Sequence, residues 1–187
     1  DCSSRGLGDV YKRQLLYTAL EYKDGPFAIR YPKASSEEFD QNLQGELLPI
    51  GSWEVLQNGN DVAILAVGPL TYLALEAAEE LKKLDISCEV VNCRFIKPMD
   101  ENYLEFMLEK FSNVLTIEEG VRSGGFGEGV LSWLSSNNYK GNSSIISLPD
   151  KFVEHGPRDL LLEKWGINKE QIIKTVTSFK SSLKTEF

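Results

Sequence analysis

Along most of this chain, short apolar runs of strand length alternate with longer stretches in which apolar positions recur at helical spacing. Asp61-Val62-Ala63-Ile64-Leu65-Ala66-Val67 is continuously apolar from Val62, as a strand covered on both faces must be. The spacing after it predicts a helix over about Thr71–Leu84. Tyr72, Leu75, Ala78, Glu79 and Lys82 follow its period, and Leu73, Ala77 and Leu81 supply the buried stripe. The alternation continues as strand Cys88–Asn92, helix Asp100–Lys110, strand Asn113–Glu118, helix Gly127–Ser135 and strand Ser144–Leu148. Helices over Pro157–Lys164 and Lys169–Leu183 close the pattern. Strands alternating with helices imply βαβ crossovers and a parallel sheet covered on both faces.

Before Asp61 the pattern changes. Gly51–Gln57 reads as a strand joined to the next by Asn58-Gly59, a tight hairpin signal, so the first strand should run antiparallel to the second. Ala34–Gln44 is polar and acidic, with Ser35-Ser36-Glu37-Glu38, and residues 34–50 read as a linker laid over the surface. Residues 15–33 read as the tail of a preceding α/β domain. Leu15–Tyr22 looks like the end of a helix, Asp24-Gly25-Pro26 turns the chain, and Phe27-Ala28-Ile29 has the apolar character of a buried strand ending on Arg30. Residues 1–14 carry neither helical nor strand period; they are set aside as an adapter-like, non-native segment, with disorder expected before Leu15. Residues 51–187 are then one domain.

Composition narrows the function. A chain of 187 residues with 42% hydrophobic content can bury one sizeable core. Its net charge of −8 disfavours a nucleic-acid or anionic-membrane surface, which would require clustered Lys and Arg. No apolar run approaches the roughly 18 residues that span a bilayer, and the N-terminus lacks signal-peptide order. Cys2, Cys88 and Cys93 form no Cys-x-x-Cys pair, Cys88 and Cys93 face opposite ways on one strand, and reduced core thiols of a cytosolic protein are expected. With one histidine, His155, no zinc cluster can be assembled.

Several positions invite chemistry. Arg30 is the first candidate, because a guanidinium at a strand end can grip a phosphate through two parallel hydrogen bonds; a surface or interdomain salt bridge is the plainer reading. Arg94 and Lys97 follow a strand, with Pro98 and Asp100 forming a helix start and Asp100 a candidate cap. Glu118 and Glu119 point to opposite faces of an extended chain and are poorly placed as an acid–base pair, so a structural or interface role is expected. Gly124-Gly125-Phe126-Gly127-Glu128-Gly129 follows a strand and opens a helix, but its Gly-x-Gly-x-Gly spacing is not the dinucleotide fingerprint, and close backbone packing explains it better. His155, in Phe152-Val153-Glu154-His155-Gly156, titrates near neutrality but has no nucleophile elbow beside it, so loop packing is expected.

Asp24 to Lys33, Arg94-Phe95-Ile96-Lys97-Pro98, Glu118-Glu119-Gly120, the glycine loop, Leu148-Pro149-Asp150 and Phe152–Gly156 occur in an order and spacing that resemble the C-terminal part of the 1-deoxy-D-xylulose-5-phosphate synthases, enzymes of the transketolase superfamily. The resemblance covers about Leu15 to Phe179. It implies a three-layer α/β/α transketolase C-terminal-like domain, with a mainly parallel five-stranded sheet and one antiparallel strand, preceded at 15–33 by the tail of a pyrimidine-binding domain. It also implies a cytoplasmic homodimeric transferase of isoprenoid and thiamine precursor synthesis that condenses pyruvate with glyceraldehyde 3-phosphate, using thiamine diphosphate and Mg2+. Arg30 falls on the family's Ile-Arg-Tyr-Pro-Arg-Gly motif near the substrate phosphate, although Lys33-Ala34 replace the closing Arg-Gly. The Gly-Asp-Gly motif with its downstream Asn, and the glutamate that activates the cofactor, are not in this sequence; Gly8-Asp9 is followed by Val10. The resemblance therefore places cofactor, metal and catalytic residues outside this chain and leaves it inactive alone. The alternatives are an assembly subunit of a split transketolase or ketoacid dehydrogenase β-subunit, and a nucleotide-binding regulatory module on the glycine loop.

Overall fold

In the computed structural model the backbone is described for residues 7–31 and 46–182, and side chains for 12–31 and 46–179. The linker reading of residues 34–50 therefore lies largely outside the described residues, as do Pro32, Lys33, Ala34 and Leu183. The elements are α1 (Leu7–Glu21), β1 (Glu54–Gln57), β2 (Val62–Ala66), α2 (Leu70–Lys82), β3 (Cys88–Asn92), α3 (Glu101–Lys110), β4 (Asn113–Val121), α4 (Phe126–Ser136), β5 (Asn142–Leu148), α5 (Arg158–Lys164) and α6 (Lys169–Ser182). The five strands form one sheet in the order β1-β3-β2-β4-β5, with only the β1–β3 pair antiparallel.

Two hydrophobic cores lie on opposite faces of this sheet. On one face Ile64, Val90, Leu115 and Ile117 meet Ala74, Ala77 and Leu81 of α2 and Ile172 and Val176 of α6. On the other, Leu65, Val91 and Val114 meet Leu104 and Met107 of α3 and Phe126, Val130 and Leu134 of α4. These helical residues recur three to four positions apart, which is why each helix buries one stripe. The stripe on α2 is Leu70, Thr71, Ala74, Ala77, Ala78 and Leu81; Leu73, expected within it, is only partly buried. Cys88 and Cys93 are buried, outside any disulfide, in opposite cores, as period-two alternation requires.

The hairpin expectation is corrected. β1 is antiparallel to β2 in direction but pairs with β3, because β2 is buried at every position and takes β3 and β4 as its two parallel neighbours. Residues 58–61 instead step across the start of β3. Asn60 and Asp61 donate their amides to the Ser87 carbonyl at 3.2 and 2.8 Å, and the Asp61 carboxylate accepts the Ser87 amide at 2.6 Å. Gly59 lies so close to this backbone that a methyl group there would overlap the main chain of Cys88 and Glu89. Gly59→Ala is expected to cost about 1–3 kcal/mol, the usual penalty of overpacking, with an unchanged urea m-value. A midpoint equal to that of the parent would refute this placement.

The N-terminal expectations also change. No strand forms over Phe27–Arg30, since no described strand lies beside it to satisfy its backbone groups. The segment is instead held by its side chains. Phe27 packs edge-on against Phe95 at 6.4 Å and against Tyr22 at 5.8 Å, Leu15 joins the same core, and the Leu48 amide donates to the buried Thr18 hydroxyl at 2.9 Å. Helix α1 begins at Leu7 rather than breaking near Leu15; once Leu15 and Thr18 are docked, extending the helix towards its N-terminus costs no new nucleation.

Candidate functional site

Ligands of doubly wound sheets sit outside the carboxyl ends of the strands, where strand order reverses. Here that point is β2, whose following strand β3 lies on one side and β4 on the other. Around it stand the turn Val67-Gly68-Pro69 before α2, Asn92 ending β3, Glu118 and Glu119 late in β4, and Leu148 ending β5.

Glu118 is the most fully engaged of these. It is 4% exposed, and its two carboxylate oxygens accept the backbone N–H groups of Phe126 at 2.9 Å and Gly127 at 2.8 Å. It thereby caps α4 from a neighbouring strand, since the N-cap residue Gly125 has no side chain to do so. The glycines around it follow from this cap. A Cβ on Gly120 would come 2.5 Å from one Glu118 oxygen and a Cβ on Gly125 2.7 Å from the other, while at Gly127 it would meet Thr116 Oγ1 at 2.5 Å. The close-packing reading of the glycine loop thus holds, and the α4 N-terminus, where a nucleotide diphosphate would bind, is filled by the chain's own carboxylate.

Glu119 points the other way and pairs with Arg158 at the start of α5. The Arg158 guanidinium is held above its ordinary value, first by its hydrogen bond to Glu119. The sequence reading that denied Glu118 and Glu119 a paired acid–base role is consistent with this division of labour.

Arg94 is structural. Its guanidinium donates to the Ser52 carbonyl and hydroxyl, each at 3.0 Å, and lies 3.7 Å from Glu54. Lys97 is exposed beside it. Asp100 caps α3 as expected, accepting the Tyr103 amide at 3.0 Å, and its second oxygen accepts the Trp53 amide at 2.8 Å, tying the lead into β1 to α3. Arg30 is exposed, and among the described residues no hydrogen bond or ion pair ties it to the strand ends. His155 and Phe152 are both exposed in the loop between β5 and α5, so the expectation of loop packing is corrected for His155; the loop meets α5 through Glu154, which pairs with Lys164, and through Gly156 beside Leu161.

One buried charge escaped the sequence reading. Glu89, inside β3, is 1% exposed and accepts the Tyr103 hydroxyl at 2.8 Å and Lys110 Nζ at 2.6 Å. The available signal was a carboxylate inside the otherwise apolar Cys88–Asn92 run with Tyr103 and Lys110 on the next helix. Burial, followed by the bond to Glu89, pushes the Tyr103 phenol far above its ordinary value, and burial raises Tyr139 to about 12. A phenol whose folded value is raised contributes stability that is complete below the unfolded value, near pH 10, and lost above it. Stability should therefore decline from about pH 10 upward, by about 1.4 kcal/mol per pH unit for each withheld proton. Absorbance at the phenolate band should show Tyr103 titrating only on unfolding; a full complement of phenolates in the folded chain at pH 11 would contradict this.

Cofactor fit can be judged on donors. Among the described residues no group of three or more His, Cys, Asp or Glu is placed to hold a metal ion, and the α4 amides are occupied by Glu118. A magnesium–diphosphate site is not built from these residues. Among the described residues no helix is long and apolar enough to cross a membrane.

A five-stranded, mainly parallel sheet with one antiparallel edge strand, helices on both faces and a carboxylate-capped glycine loop defines a transketolase C-terminal-like α/β domain. The family model described as "Transketolase, C-terminal domain" matches residues 51–172, and the chain belongs to that family. Among curated relatives, 1-deoxy-D-xylulose-5-phosphate synthases of Bacillus cereus (strain AH187) and Bacillus anthracis are each 42% identical over 167 residues, covering 88% of this chain and 26% of theirs. The chain thus spans about a quarter of the length of these relatives. A solved structure titled "Split gene transketolase, inactive beta4 tetramer" superposes with a TM-score of 0.66 at 31% identity, over 76% of this chain and 45% of that one.

Proposed function

We propose that this chain is the C-terminal part of a thiamine-diphosphate-dependent enzyme of the transketolase type that condenses pyruvate with glyceraldehyde 3-phosphate to 1-deoxy-D-xylulose 5-phosphate, releasing CO2. The observation that carries this reading is the 42% identity to 1-deoxy-D-xylulose-5-phosphate synthases across 88% of the chain. Thiamine diphosphate with Mg2+ supplies the electron sink for decarboxylation and is held by residues beyond those described here. The chain contributes a rigid α/β domain and the segment carrying Arg30, whose guanidinium grips the phosphate of the second substrate. By itself the chain is inactive, and the whole enzyme is a cytoplasmic homodimer. The test is to recover the coding sequence upstream of Leu15, express the longer protein, and assay pyruvate-dependent CO2 release with glyceraldehyde 3-phosphate. In that protein Arg30→Ala should raise KM for glyceraldehyde 3-phosphate at least about tenfold, the worth of one charge-assisted contact, and leave unphosphorylated glyceraldehyde little affected. Equal losses on both substrates would remove Arg30 from the phosphate site; no CO2 release from the longer protein would end the proposal.

A second reading is favoured by the structural neighbour, whose title describes a split-gene transketolase. The chain would then be an assembly subunit whose cofactor-bearing partner is supplied in trans. A start codon close to Leu15, with a neighbouring gene that restores activity on mixing, distinguishes it.

A further inference from the structure

At the carboxyl end of the sheet a largely buried polar side chain has no hydrogen-bond partner among the described residues. Asn92, the last residue of β3, is 4% exposed, and among the described residues its amide makes no hydrogen bond. It lies opposite Ala66 in the parallel β2–β3 ladder. Alternation from Cys88 and Val90 puts it on the face that α2 covers. Helix α2 begins at Leu70, four positions beyond Ala66, so its first turn stands at these same strand ends.

That turn is open. Its N-cap residue, Pro69, makes no side-chain cap, and the first turn carries no acidic residue. Thr71 donates its amide and its hydroxyl back to the Gly68 carbonyl, at 3.1 and 2.8 Å. Among the described residues the amides of Gly68 and Leu70 have no acceptor. Gly68 has a left-handed φ of +60°, and a Cβ built on it would meet nothing within 4 Å, so the backbone is approachable there. Glu119, the carboxylate on the neighbouring strand end, is engaged by Arg158.

We propose that Asn92 and the Gly68–Leu70 turn form a binding site for a small oxyanion, a carboxylate or phosphate group. The Gly68 and Leu70 amides donate to its oxygens at the positive end of α2, and Asn92 Nδ2 supplies a third donor. The place is β2, where strand order reverses and open α/β sheets take ligands. At α4 the corresponding amides are closed by Glu118; here no carboxylate among the described residues caps the turn. This site does not depend on the function proposed above.

The test is a titration of the 15N-labelled 187-residue chain with inorganic phosphate, and separately with acetate, at constant ionic strength. Saturable shifts confined to the Gly68, Leu70 and Thr71 amides and the Asn92 side-chain amide are expected with at least one anion, and the tighter of the two identifies the source. Asn92→Asp, equal in size but anionic, should weaken binding at least about tenfold while the dispersed spectrum persists, as expected for replacing a donor by a like charge. Linear shifts, shifts scattered over surface lysines, or undiminished binding by Asn92→Asp would overturn the proposal. If Asn92→Asp does not fold, the titration of the parent chain decides alone, since absence of saturation at these amides is sufficient to reject the site.

Discussion

Replacing Glu118 by alanine is expected to destabilise the chain by about 3–5 kcal/mol, because it removes two charge-assisted hydrogen bonds, each worth about 1.5–3 kcal/mol, at a buried helix terminus. The Phe126 and Gly127 amides would be left without acceptors beneath α4, where water has little access. Gly120 and Gly125 pack against the same carboxylate, so its removal also opens a void that neither glycine can fill. Glu118→Gln keeps one acceptor oxygen and turns an amide N–H towards the other donor, and an intermediate loss of about 1–3 kcal/mol is expected. Urea denaturation orders the three proteins. If Glu118→Ala stays within about 0.5 kcal/mol of the parent, a typical surface effect, the capping role is wrong.

Lys110→Met is expected to cost a similar amount, about 3–5 kcal/mol, the usual result of stranding one member of a buried ion pair. Glu89 is almost wholly enclosed and would keep only the Tyr103 hydroxyl. The Lys110 stem also covers apolar surface, its ammonium lying 4.8 Å from the Phe111 ring centre and 5.2 Å from that of Phe106; methionine preserves much of that packing, so the loss reports on the charge. The double variant Glu89→Leu/Lys110→Met should recover part of the stability, since an apolar pair of similar volume has no charge to desolvate; the remaining loss is that of the Tyr103 hydroxyl left without its acceptor. A double variant no more stable than Lys110→Met would show that side-chain packing, not the stranded carboxylate, sets the cost.

The two variants probe different sides of the sheet's logic. Glu118 fastens the end of β4 to α4, and Glu89 fastens β3 to α3. Both residues lie on the same face of the sheet, beneath α4 and α3. Each carboxylate is satisfied by two donors from the helix packed above it, which is the condition under which a buried charge can be carried at all.

Much of this was written locally. The continuous apolar run from Val62 marked a strand buried on both sides, and the helical spacing after it, the Asp100 cap and the strand Cys88–Asn92 all appear in the structure where the sequence put them. These features depend on neighbours a few residues away, so periodicity and capping chemistry suffice to find them. The order of family motifs likewise identified the domain. Three things depended on contacts distant in sequence. Asn58-Gly59 reads as a hairpin, yet β1 crosses to β3, because β2 is covered on both edges by parallel strands that the local signal does not contain. Phe27–Arg30 has strand composition but forms no strand, since a strand exists only by pairing and none of the described strands lies beside it. Glu118 and Glu89 are ordinary carboxylates in the sequence. Their burial, and the donors that make it tolerable, come from α4 and α3 folding over them, and only the tertiary structure decided that a glycine loop would be closed by a carboxylate while the turn beside Asn92 stays open.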